Sequence, residues 1–226
     1  MAKNIYPYYS VILFEKTKLK PIDADGTATT MLIVSAIEAF INDVAAFYES
    51  VAESECGISD NIRTGVIRTD DGEFLVMSED ERNLQTSLSE LQKSTLRLGE
   101  KLLSFSSLLN SRKIKKGCHP YQDFETLLRV RNQLVHAKSQ PLTVDECKNI
   151  DISSYPRVVK NLLQNKTIPK RNVRNSWVYA LDNEEYTTWC RTVFVDIVLG
   201  LLDEFSSEEI SQLFKGNYLY ALGVID

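Results

Sequence analysis

From residues 27 to 55, apolar side chains return every third or fourth position. At about 100° per residue, Ile33, Ile37, Phe40, Ile41, Val44, Phe47 and Tyr48 cover a broad arc. This spacing predicts a long helix, opened by a capping region at Asp25-Gly26-Thr27. Ser35, Glu38 and Asn42 fall together on a narrow polar stripe of the same helix. On a helix this apolar, such a stripe is expected to be buried and to need partners. A second long helix is predicted over residues 80–110, with Leu84, Leu88, Leu91, Leu98, Leu102, Phe105 and Leu109 at helical spacing, packed along the first. Between the two, residues 64–77 read as two short strands around Asp70-Asp71-Gly72, a small inserted hairpin.

Gly117 and Pro120 break the pattern before a third helix, predicted over residues 121–137. Its apolar face is Phe124, Leu127, Leu128, Val130, Leu134 and Val135. Residues 139–175 form a proline-, asparagine- and lysine/arginine-rich loop with short helical pieces, such as 157–163. A final long helix is predicted over 183–205, capped by Asp182 and buried through Val193, Phe194, Ile197, Val198, Leu201 and Leu202. A short helix at 207–214 follows, and residues 8–14 are apolar without a deciding period. The expected fold is mainly α: one up-and-down helical bundle with an inserted β-hairpin, in a single domain spanning residues 1–226 with its core at about 27–205.

Composition narrows the chemistry. With 226 residues and 43% hydrophobic content the chain can bury a core. There is no export pattern at the start and no run of about eighteen apolar residues, so a cytoplasmic location without membrane attachment is expected. Cys56, Cys118, Cys147 and Cys190 are scattered without a Cys-x-x-Cys pair and read as free thiols. Cys118 and His119 are adjacent, but two neighbours cannot form a tetrahedral site, so neither metal nor cofactor is expected. A net charge of −5 gives no general attraction to nucleic acid, and any such site must be local. Two basic clusters could supply it: Arg112, Lys113, Lys115 and Lys116, and the acid-free run Arg157, Lys160, Lys166, Lys170, Arg171 and Arg174. Taken singly, each also reads as a solvated surface run.

The third helix carries Arg131-Asn132-Gln133-Leu134-Val135-His136. Asn132 and His136 are four apart and share a face. Arg131 falls inside the apolar arc, so it is expected to reach a carboxylate, an amide or a bound anion, with Glu38 and Asn42 as the natural candidates. His119, beside Pro120, reads as an exposed loop residue.

An arginine followed by a polar residue and, four to six positions later, a histidine resembles the signature of the HEPN superfamily of helical nucleotide-binding and ribonuclease domains. Arg131-Asn132 and His136 fit it, as does an acidic or polar support from an earlier helix, here Ser35, Glu38 and Asn42. The resemblance covers the core helices and leaves the hairpin and the basic loop aside.

It implies a metal-independent endoribonuclease in which two motifs meet across a homodimer axis. His136 would transfer the proton, Arg131 would clamp the scissile phosphate and Asn132 would orient one of them. Lys115, Lys116, Lys170, Arg171 and Arg174 would contact RNA. A role as a toxin or phage-defence effector, with an antitoxin or defence-system partner protein, follows by family analogy alone. Two alternatives stay open: a non-catalytic HEPN module that binds a protein or nucleotide, and a structural scaffold in which Arg131 and Glu38 are a buried pair. The polar stripe on the first helix counts against the scaffold, which gains little from burying it.

Overall fold

The computed structural model describes residues 7–20, 24–55, 65–69, 72–109, 114–137, 152–173 and 176–225. Most of the described residues are helical, so the fold is mainly α. The helices among the described residues are α1 (Tyr9–Lys16), α2 (Gly26–Glu55), α3 (Glu79–Lys93), α4 (Leu98–Leu108), α5 (Tyr121–Val135), α6 (Arg157–Gln164), α7 (Trp177–Ala180), α8 (Glu184–Leu202) and α9 (Glu209–Ala221). Between α2 and α3 the backbones of β1 (Gly65–Thr69) and β2 (Gly72–Val76) pair antiparallel, with Gly65 opposite Val76 and Thr69 opposite Gly72. Much of the predicted basic loop, including Arg174, and Arg112, Lys113, Cys56 and Cys147 lie outside the described residues.

Two compact units emerge. One takes in Met1–Ile12, Ile37–Lys116 and Val198–Asp226, the other Leu13–Ala36 and Gly117–Ile197, so α2 contributes to both. The first unit is organised around aromatic rings. Phe40 meets Phe105 and Tyr218 edge to face, and Phe214 packs on Tyr8, Phe47 and Phe205. Its buried polar groups are bonded to one another. The Glu81 carboxylate accepts from the backbone N–H of Ser78 at 3.0 Å, closing a capping box on α3, and from the N–H and hydroxyl of Ser211 on α9 at 2.8 and 3.0 Å. Asp43 accepts from the N–H groups of Tyr9 and Ser10 at 3.2 and 3.0 Å, and Ser10 Oγ also meets Tyr218 at 2.6 Å.

In the second unit Phe14 stacks on Phe194, and Tyr186 shares a hydrogen bond with Thr30 at 2.7 Å. Gly26 starts α2 so close to the chain before α8 that a Cβ there would lie 2.3 Å from the Leu181 carbonyl oxygen. Asp25 Oδ1 caps α2 by accepting from Ala28 N–H at 2.8 Å.

Three expectations change. The helix predicted over 80–110 is two helices, α3 and α4, packed against each other. Ser94 turns its N–H and its hydroxyl back to the Leu91 carbonyl and leaves the helical region, and Glu100 then caps Arg97 N–H to restart the chain. The cap of α8 is Asn183, whose Oδ1 accepts from Tyr186 N–H at 2.8 Å, whereas Asp182 accepts from Gly26 N–H. The last helix runs to Ala221 because buried Phe214 and Tyr218 continue its core face past Gly216. Residues 26–53 are long and apolar enough to cross a membrane by length and composition alone, although 61% of that window is buried within the protein.

Candidate functional site

Helix α5 enters its unit with Tyr121, Phe124, Leu127 and Val130 buried. Beyond Val130 the helix leaves the core: Leu134 is half-buried, and Arg131, Asn132, Gln133, Val135 and His136 are exposed. The motif therefore sits on the last turns of a helix whose first half anchors it. Arg131 donates from Nη1 to Asn132 Oδ1 at 3.2 Å, its one side-chain bond among the described residues. His136 closes the helix, with its backbone N–H on the carbonyls of Asn132 and Leu134, and its imidazole stands in solvent.

The buried arginine expected at 131 is thus an exposed one. Its position in the apolar arc belongs to the part of α5 that no longer touches the core. Ser35, Glu38 and Asn42 are likewise exposed, and Asn42 accepts from Gln92 Nε2 at 2.8 Å on α3. The stripe is the solvent face of α2, so it neither calls for a partner nor weighs against a scaffold.

The basic residues divide. Lys115, Lys116 and Lys170 are exposed, and Lys170 lines a cavity of about 410 Å³ with Lys160, Ile152, Leu163, Gln164 and Val173. Arg171 is already paired with Glu185 of α8. Its phosphate-binding role is correspondingly weakened, because a ligand must compete with a carboxylate.

Two features escaped the pattern reading. The His119 ring faces Asp123 Oδ2 through Nδ1 at 2.8 Å and Asp196 Oδ2 through Nε2 at 3.2 Å, tying the start of α5 to α8. Four-residue spacing from 119 to 123 was the only sequence signal for half of this clamp. The second feature is a groove of about 610 Å³ between α5 and α6. It is lined by Gln122, Glu125, Thr126, Arg129 and Gln133 on one side and Arg157, Asn161 and Asn165 on the other. The α5 side was legible as polar positions at three- and four-residue spacing.

Comparison with known proteins matches no family model, no curated protein and no solved structure.

The chemistry available on the surface of α5 is specific nonetheless. A guanidinium, a carboxamide and an imidazole lie within six residues, all accessible to solvent. Helix geometry sets His136 about 140° around from Arg131 and about 40° from Asn132. One copy therefore presents Asn132 and His136 together and Arg131 to the side. Among the described residues no group of three or more His, Cys, Asp or Glu is arranged to hold a metal ion. Cys190 is fully buried, which pushes its thiol pKa up to about 12 and keeps it unreactive, while Cys118 is exposed and free.

Proposed function

We propose that this chain is a metal-independent endoribonuclease of the HEPN type, an up-and-down helical bundle carrying its hairpin as an insertion and acting in the cytoplasm as a homodimer. The observation that carries the reading is the exposure of Arg131 and His136 at the end of a firmly anchored helix, with Arg131 bonded only to its neighbour Asn132 among the described residues. An arginine kept at the surface without an acidic partner remains available for a phosphate.

In the reaction, His136 takes the proton of the ribose 2′-hydroxyl as that oxygen attacks phosphorus. The bond from phosphorus to the 5′ oxygen breaks, and that oxygen gains a proton from the second copy's histidine or from water. Arg131 neutralises the charge that builds on the phosphoryl oxygens, and Asn132 holds the guanidinium. The homodimer enters because the angular separation of Arg131 and His136 leaves one motif half assembled. Val135, half-exposed between them, is an apolar side chain that a two-fold contact would cover. A toxin or defence role with a regulating partner protein extends the proposal by analogy.

The test is product chemistry. End-labelled RNA incubated with the purified protein and a chelator should yield fragments ending in a cyclic phosphate and a free 5′ hydroxyl. Intact RNA under those conditions, or cleavage only after a divalent metal is added, would overturn the reading.

A further inference from the structure

We infer that the groove between α5 and α6 binds a single-stranded segment of RNA, with Arg129 and Arg157 at phosphates and the carboxamides of Gln122, Gln133, Asn161 and Asn165 at base edges. This rests on the ribonuclease reading only for the identity of the strand that continues to His136.

The composition of the groove is the first argument. Four side-chain carboxamides converge on it, and none has a hydrogen-bond partner among the described residues. Each offers a donor beside an acceptor, the pattern that the edges of unpaired bases present. A simple carboxylate ligand would use the arginines but offer those carboxamide oxygens no donor.

Charge is the second. Arg157 has no acidic partner among the described residues, and Arg129 meets Glu125 only at 3.7 Å, with its side chain 67% exposed. The lining is therefore net positive in a chain of net charge −5, so an anionic ligand is attracted here and not to the surface as a whole. Apolar Pro156, Val158 and Leu162 also line the groove, giving a base something to lie against.

Position is the third. Gln122, Thr126, Arg129 and Gln133 follow one side of α5, and His136 continues that side about one turn beyond Gln133. A strand lying along the groove is led to the histidine.

The test uses the 226-residue chain with His136→Ala, so that RNA is not consumed, and short fluorescent single strands of A, C and U alongside duplex RNA of equal length. Arg157→Ala should weaken all single strands about tenfold and flatten the dependence on salt. The double variant Gln133→Ala/Asn161→Ala should change the ranking among the three homopolymers, with unchanged melting confirming intact folding. Duplex RNA should compete poorly. The proposal is overturned if the double variant keeps the parent affinities and ranking, or if duplex binds as well as single strands. Failure of the catalytic reading shows separately, as unaltered cleavage by His136→Ala.

Discussion

Glu81 and the end of α5 are both rich in polar groups, yet they are built in opposite ways. Glu81 is almost completely buried, and its oxygens receive Ser78 N–H, Ser211 N–H and the Ser211 hydroxyl, while Ser211 Oγ also meets Tyr48 and Ser206. Every one of these groups finds its partner inside the protein, so the cluster holds α3 to α9 and has nothing left to offer a ligand. Around Arg131, His136 and the groove, most polar side chains are exposed, and those of His136, Arg157 and the four groove carboxamides have no partner among the described residues. Polar groups that do not stabilise the fold are the ones free to bind something else.

That contrast can be broken experimentally. Glu81→Ala leaves buried donors of two helices unsatisfied, and should cost about 3 kcal/mol or more in urea denaturation. A loss below about 1 kcal/mol would mean that the cluster is not the fastening it looks to be. Gly26→Ala tests packing in the other unit: its Cβ would collide with the Leu181 backbone, which is not a flexible end, and a loss of about 1–3 kcal/mol is expected. A neutral result would show that the start of α2 gives way easily.

Asp43 sharpens the comparison through pH. Burial raises its carboxyl pKa above the ordinary 3.8, although the hydrogen bonds from Ser10 and Tyr9 pull the other way. The folded state then holds this proton more tightly than the unfolded one. Its contribution is fully present below the unfolded value and is lost as pH rises through the raised folded value. Asp43→Asn should remove that slope from a stability profile measured upward from pH 3.8, and an identical slope in the variant would contradict it. The smallest effect is expected at His119, whose imidazole is largely exposed. His119→Ala should cost less than about 1 kcal/mol, read by thermal melting. A larger loss would move the clamp into the class of Glu81.

Periodicity made much of the fold legible because burial imposes it: α2, α5, α6 and α8 lie close to where their apolar spacing places them. The break between α3 and α4 was hidden, since Ser94 ends the helix by local bonding with no glycine or proline to announce it. The length of α9 was hidden as well, because Tyr218 is sustained by tertiary contacts with Tyr8, Phe40 and Ser10. At the candidate site, the wheel of α5 located the motif but not its depth. An apolar arc states which side of a helix faces the core, and not where along its length the core stops. Arg131 lies inside that arc and yet is exposed, because the core ends before it.

The exposed end of α5, as proposed, serves chemistry and not the fold. The most direct test is to measure, on the same purified His136→Ala protein, both the melting temperature and the initial rate of RNA cleavage in chelator. An unchanged melt and a rate at least about a hundredfold below wild type are expected. Cleavage at the wild-type rate would contradict it.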